Sequence, residues 1–344
     1  MSGSLVESRE LERIFLGLAI EAQKQIPGIQ KPRKKVIILA GPTASGKSEF
    51  GLKLAEAIGG EIISADSMQV YSGMDIGTAK PSKEHRDLIP HHLIDIRQIH
   101  ENFNVVDFYY EARHCCQLIH ERERVPILVG GSGFYIHSFL YGPPSGPPSV
   151  PELRKALEEE IELVGSDVLY ERLKQLDAPY AATITKHDKQ KIVRGLEIIA
   201  LTGKKVSKLS WKTRRKPQNY DFCCWFLHRP KDHLYRRIEK RCDKMLLDGF
   251  LEEVESLEKM GLRENSSASL AIGYRQALDY LSSARTRDDY RHFVEVFKQA
   301  SRNYAKRQFT WFRREQPMFR WLDLEMHDYE VALEMIRRDY EARL

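Results

Sequence analysis

Residues 41–48, GPTASGKS, have types and spacing suited to capturing phosphate. Gly41, Gly46, Lys47 and Ser48 satisfy the pattern G-x-x-x-x-G-K-[ST] in full, with Pro42, Thr43, Ala44 and Ser45 between the glycines. Glycines let backbone N–H groups turn inward around an anion. A helix starting directly behind them adds partial positive charge. Lys47 supplies a point charge, and the Ser48 hydroxyl is placed to hold Mg2+. The pattern specifies phosphate or diphosphate; it does not specify ATP. The next candidate is Asp66, in ADSMQVYSGMDIGTAKP at 65–81, just past the following apolar run. An Asp there serves either as a turn or cap residue or as a carboxylate facing the same ligand. In an ATP-dependent kinase, Asp66 or Asp95 would be the magnesium partner or the base.

Such residues need a scaffold that brings loop and carboxylate to one rim. Residues 36–40 (VIILA) read as a buried strand, the loop follows, and EFGLKLAEAIG reads as a helix stopped by glycine. Further strands are expected at 61–65, 92–96, 125–130, 222–228 and 319–324, with a helix at 107–122. Strands alternating with helices predict a parallel sheet flanked by helices, which binds ligands at the carboxyl ends of its strands. PPSGPPSVP at 143–151 marks the sharpest break. The expected fold is therefore α/β: a P-loop-containing parallel sheet core at 35–147 and 216–330, interrupted by an all-helical insertion at 148–215. Residues 1–34 read as a peripheral extension with a short amphipathic helix around 11–18, and 331–344 as a C-terminal helix. A continuous helical stretch is expected over 231–260.

With 344 residues, 42% of them hydrophobic, the chain can bury one large or two moderate cores. A net charge of +5 says little about partners, but local clustering says more. GKKVSKLSWKTRRKP, 203–217, holds seven Lys or Arg and no acid. It reads equally as a phosphate tether or as a linker. The five cysteines form no C-x-x-C pair, so neither a disulfide framework nor a zinc site is expected, and a reducing cytoplasm fits. No apolar run has membrane-spanning length, and the acidic residues near the N-terminus do not fit a leader.

Several blocks, taken in order, resemble one family. GPTASGKS, ADSMQVYSGMDIGTAKP, HHLIDI, VPILVGGSGFYI, KHDKQKIVRGLEIIALTGKK, RIEKRCDKMLLDGFLEEV, IGYRQAL and AKRQFTWFRRE are similar to blocks of the tRNA dimethylallyltransferases, also called tRNA isopentenyltransferases. The resemblance covers roughly residues 35–323. The zinc finger of some eukaryotic members has no counterpart, which implies the bacterial or organellar type. What the resemblance implies is transfer of a dimethylallyl group from dimethylallyl diphosphate to N6 of the adenine 3′ of the anticodon (position 37), in tRNAs reading U-starting codons. The cradle would then hold the donor's diphosphate, with Mg2+ at Ser48. Asp66 matches the general base, Thr43 a residue near the reacting end of the donor, and Arg241 a contact to the diphosphate. The acceptor is the tRNA anticodon stem-loop. The enzyme would be cytoplasmic and monomeric, with no membrane association.

The same resemblance assigns tRNA contacts to Asp66, Ser67, Met68 and Gln69, to single residues Ser132 and Arg154, and to Gln190, Lys191, Ile192, Val193 and Arg194. It also assigns Gly273, Tyr274, Arg275 and Gln276, together with Lys306, Arg307, Gln308, Phe309, Thr310, Trp311, Phe312 and Arg313. Read from the residues themselves, Gln69 has an amide able to read an adenine edge. Val70, Tyr274 and the Ile192/Leu196/Ile199 set read as packing. Arg302, Lys306, Phe309 and Arg313 share one helical face, and Phe297, Tyr304 and Trp311 share another.

Four functions stand against each other: a tRNA prenyltransferase, an ATP-dependent nucleotide or small-molecule kinase, an RNA-binding protein with a nucleotide switch, and an enzyme prenylating free adenine nucleotides. A small acceptor needs neither the helical insertion nor basic C-terminal helices. A mere switch needs no Asp66 beside the loop.

Overall fold

The computed structural model describes residues 34–144, 146–209, 219–314 and 318–342. The helix expected around 11–18, and the basic run beyond residue 209, lie outside them.

Valine and isoleucine in short unbroken runs favour strands covered on both faces. Strand β1 (Lys34–Ala40) is the clearest case: Val36 through Ala40 are wholly buried. It pairs in parallel with β4 (Val125–Gly130) on one side, Ile37 opposite Ile127, and with β5 (Tyr220–His228) on the other, Ile37 opposite Cys223. Beyond β4 lie β2 (Gly60–Ala65) and the two-residue β3 (His91–His92); beyond β5 lies β6 (Arg320–Asp323). The order β3-β2-β4-β1-β5-β6 is parallel at every pairing, so all strands end on one rim.

Alternate side chains of β1 enter two different layers. Val36, Ile38 and Ala40 share a core with Phe108 of α3 (Val105–Glu121), Phe139 of α4 (Gly133–Tyr141), Ile238 of α9 (Lys231–Leu247) and Phe297 of α12 (Arg287–Arg314). Ile37 and Leu39 pack on Phe50 and Leu54 of α1 (Lys47–Ile58) and on Ile336 of α13 (Tyr329–Glu341). Helix α1 stops at Gly59, whose φ of 65° is left-handed. Helix α3 is started by Asn104, whose side chain accepts from Val106 and Asp107 while Asp107 bonds back to the Asn104 N–H.

Between α4 and β5 the chain leaves the sheet. Helices α5 (Pro151–Val164), α6 (Ser166–Leu176), α7 (Ala178–Ala181) and α8 (Lys189–Thr202) close around their own core of Leu157, Ile161, Leu173, Ile192, Val193 and Leu196. The sheet then resumes as if uninterrupted, with β5 beside β1.

Two expectations need correction. The strand expected at 92–96 ends after His92, because Leu93 (φ 63°) and Asp95 (φ 54°) turn left-handed. This turn aims the Asp95 carboxylate at Lys80 Nζ, 2.5 Å away, and at Arg86 Nη1, 2.7 Å away. Asp75 pairs with the same buried Lys80 ammonium. Asp95 thus belongs to a structural ion knot and is not available as a catalytic base. The helix expected over 231–260 divides at Gly249 (φ 97°) into α9 and α10 (Phe250–Lys259). Helix α2 (Lys83–Leu88) and α11 (Tyr274–Leu281) complete the set. The described cysteines are all buried, and no described helix is long and apolar enough to cross a membrane.

Candidate active site

The phosphate loop joins the end of β1 to the start of α1, as its sequence requires. Gly41 has no alternative: a Cβ there would lie 2.4 Å from the Leu227 carbonyl oxygen. Ala44 (φ 62°) and Gly46 (φ 103°) take the left-handed turns that wrap the loop. The loop is braced from outside by three side chains. Arg237 Nε donates to Ala44 O at 2.9 Å, Arg229 Nε to Ser45 O at 3.1 Å, and the Thr43 N–H donates to Gln308 Oε1 at 2.8 Å. Lys47 Nζ folds back on Pro42 O at 3.3 Å. Ser45 Oγ is buried without a partner inside the loop.

Beside the loop opens a cavity of about 290 Å³. Thr43, Asp66, Met68, Arg241, Met245 and Tyr304 are among the residues that line it. Asp66 stands just past β2, on the rim shared with the loop, and its Oδ1 accepts the Met68 N–H at 2.9 Å, which fixes its rotamer. The segment after Asp66 is pinned from below. One Glu253 carboxylate accepts the N–H groups of Asp75, Ile76 and Gly77 and the Tyr274 hydroxyl, at 2.6–3.1 Å. Gly77 is required there, since a Cβ would meet the Phe250 ring at 2.4 Å.

The electrostatics favour a multiply charged anion. Burial, reinforced by the Arg241 charge, brings the Lys47 ammonium down to about 8, with Asp66 opposing. Burial also lowers Arg241 below its ordinary value, against the pull of Cys242, Asp66 and Tyr304. Two cations held short of solvation beside one another gain most when an anion arrives between them. Burial, and then Asp66, push the Tyr304 phenol up to about 12, so it stays protonated, with Ser132 opposing the shift.

From this comes a pH prediction. An arriving diphosphate stabilises the protonated form of Lys47 and raises its pKa. Donor binding above about pH 8 therefore takes up a proton, and affinity falls as the pH rises further. Calorimetry in two buffers of different ionisation heat reads that uptake directly; equal heats above pH 8 would contradict it.

A family model described as IPP transferase matches residues 69–315. A tRNA dimethylallyltransferase of Protochlamydia amoebophila (strain UWE25) is 66% identical over 336 residues, 97% of each chain. The chain belongs to the IPP transferase family. Among solved structures, the full-length tRNA isopentenylpyrophosphate transferase of Bacillus halodurans is 36% identical with a TM-score of 0.66, covering 90% of this chain and 98% of that one. A eukaryotic dimethylallyltransferase acting on tRNA is 28% identical with a TM-score of 0.74, covering 90% and 80% respectively.

Within this IPP transferase fold the sequence-derived RNA residues separate sharply. Asp66, Ser67 and Met68 line the cavity. Gln69 does not: its Oε1 accepts from Ser64 Oγ at 2.8 Å and its Nε2 donates to Thr78 O at 3.3 Å, so the amide expected to read a base holds the loop instead. Gly273 and Tyr274 are buried, Gln276 Oε1 accepts the Gly273 N–H, and Arg275 faces solvent. On the insertion, Gln190 and Lys191 are exposed, whereas Ile192 and Val193 are core and present no side chain to a ligand. Arg194 pairs with the buried Glu197, and Arg154 with Glu158. On α12 the run at 306–313 alternates by helical geometry. Lys306, Arg307, Thr310 and Arg313 are exposed. Phe312 is buried, Phe309 packs on Phe226 and Trp321, and Trp311 packs on Phe134 and His137. Arg302 is tied to Glu239 at 2.6 Å, so the basic face narrows to its C-terminal half.

Four residues of the site escaped the sequence reading, Tyr304, Arg229, Arg237 and Glu253, and Gln308, expected as an RNA contact, braces the loop. Tyr304 had a signal. It continues the stripe of Phe297 and Ser301 at helical spacing, and the polar members of that stripe mark a face turned to a cavity rather than to core.

Proposed function

We propose that this protein is a tRNA dimethylallyltransferase that alkylates N6 of the adenine 3′-adjacent to the anticodon, position 37, in tRNAs reading U-starting codons. The donor is dimethylallyl diphosphate. One observation carries the reading: Asp66, Thr43 and Arg241 line a single cavity beside the phosphate loop, and the buried Lys47 ammonium of that loop feels the charges of both Arg241 and Asp66. The bond from the donor's C1 to its bridging oxygen breaks as the bond from C1 to N6 forms. Diphosphate leaves, and the N6 proton passes to Asp66. Loop N–H groups, Lys47 and Arg241 take up the charge growing on the leaving group. In this reading the Thr43 hydroxyl, from the cavity lining, bonds the bridging oxygen. The apolar wall of Met245 and Ile238 suits a five-carbon chain.

The residues present also fit a magnesium ion that arrives with the donor. Mg2+ prefers substrate phosphate oxygens, water and one or two protein oxygens. Ser48 is exposed on the first turn of α1, where its hydroxyl would serve as that protein ligand. When bound, the ion adds charge neutralisation on the diphosphate.

An adenine stacked in the anticodon loop must be unstacked to reach Asp66. The exposed cations of α12 then serve as phosphate contacts. Replacing Lys306 and Arg313 by alanine is expected to weaken tRNA binding and flatten its salt dependence by about one unit of slope per residue. An unchanged slope would exclude this face from the RNA footprint.

The kinase reading is not favoured. Asp95 is locked in the Lys80 knot, and the relatives are prenyltransferases. Incubation with labelled dimethylallyl diphosphate and either bulk tRNA or ATP and AMP tests the proposal. Label confined to tRNA, recovered as dimethylallyladenosine by nucleoside mass spectrometry, supports it. Label in free nucleotides, or phosphate transfer from ATP, refutes it.

A further inference from the structure

Gln308 sits on the helix whose outer face carries Lys306, Thr310 and Arg313, yet it points the other way. It is 4% exposed, and both ends of its amide are used. Oε1 accepts the Thr43 N–H at 2.8 Å, and Nε2 donates to Gly131 O at 3.0 Å. The fit is tight: a Cβ on residue 131 would lie 2.2 Å from Nε2, so glycine at 131 is what admits the amide. The turn it grips continues into Ser132, which bonds back to Ala65 O, the residue before Asp66. One side chain therefore ties the Thr43 corner of the phosphate loop, the turn beside Asp66, and the RNA-facing helix together.

We propose that Gln308 is a positioning residue of the donor site rather than an RNA contact. It holds the Thr43 corner in the shape that grips diphosphate, and it makes that shape depend on the seating of α12. A buried N–H with no partner is costly, so without the amide the Thr43 peptide rotates to find another acceptor. The cradle then loses its preset geometry. RNA bound to the exposed side of α12 would act on the donor loop through this one residue. The inference rests on reading loop 41–48 as a diphosphate cradle.

Two variants of the full chain test it, Gln308→Ala and Gln308→Met, the second keeping most of the volume without either hydrogen bond. Calorimetry with inorganic diphosphate and Mg2+ is expected to show an affinity about tenfold lower in both variants, as the loss of two buried hydrogen bonds implies. Affinity for tRNA should stay within about twofold of the parent, which also certifies the fold. In single turnover at saturating tRNA, transfer should slow while the KM for tRNA holds. Diphosphate affinity at the parent level in Gln308→Met, or a loss of tRNA affinity as large as the loss for diphosphate, would overturn the proposal. If the parent binds diphosphate and Gln308→Met weakens it, yet no prenyl group reaches tRNA, the prenyl-transfer reading falls and this inference stands.

Discussion

Replacing Asp66 by asparagine lowers the single-turnover rate of prenyl transfer by about 10²–10⁴-fold, the usual contribution of a well-placed general base. Affinity for tRNA stays within a few-fold of the parent. The reasoning begins with the acceptor. The lone pair of an adenine amine is delocalised into the ring, so N6 attacks poorly unless its proton is drawn off as the new bond forms. Asp66 is the one carboxylate lining the described cavity, and it stands on the same rim as the phosphate loop. Its Oδ1 is already fixed by the Met68 N–H, so the carboxylate needs little reordering. Asparagine keeps the size and can still accept that bond, but it cannot take a proton. The loss should appear in the rate and not in binding. Quench-flow with labelled donor separates the two, and a rate within a few-fold of the parent would remove Asp66 from the mechanism.

The second large effect is expected at Lys47. Changing it to methionine keeps the length of the stem and deletes the charge. Transfer should fall by about 10²–10³-fold, comparable with removal of one group stabilising a developing anion. The effect on donor affinity should be smaller than the effect on rate, for two reasons. Arg241 remains to attract the diphosphate, and it is relieved of the like charge that Lys47 places beside it in the free site. In the transition state, charge builds on the leaving oxygens, and there the missing ammonium is felt in full. Proton uptake on binding above about pH 8 should disappear in the same variant, since Lys47 is the group whose pKa sits there. A kcat unchanged beside a raised KM would assign Lys47 to ground-state binding alone.

How much of this was legible in the chain depends on distance along it. The loop at 41–48 is a local pattern, and its strand and helix are its immediate neighbours. Asp66 could be placed because it directly follows a strand, and strand ends share a rim in a parallel sheet. The third strand was misjudged because HLIDI is apolar enough to be a strand, while the left-handed Leu93 and Asp95 obey the ion knot around Lys80. Gln69 looked free to read a base because nothing in the sequence shows Ser64 and Thr78 closing on its amide. The grip of Gln308 on Thr43 spans 265 residues and joins two motifs that the sequence presents as separate functions. Ile192, Val193 and Phe312 fell inside runs matched as blocks, although helical periodicity alone turns them inward. Motifs locate the chemistry; the orientation of each side chain within a motif is decided by packing that only the folded chain reveals.

The central claim concerns where a leaving diphosphate and an attacking amine meet. A crystal structure with dimethylallyl thiodiphosphate and an anticodon stem-loop would test it most directly. The account predicts the thiodiphosphate within loop 41–48, contacted by Lys47 and Arg241, and an unstacked adenine whose N6 lies within about 3 Å of the Asp66 carboxylate. An analogue seated elsewhere, or an N6 beyond hydrogen-bond reach of Asp66 while the donor occupies the loop, would contradict it.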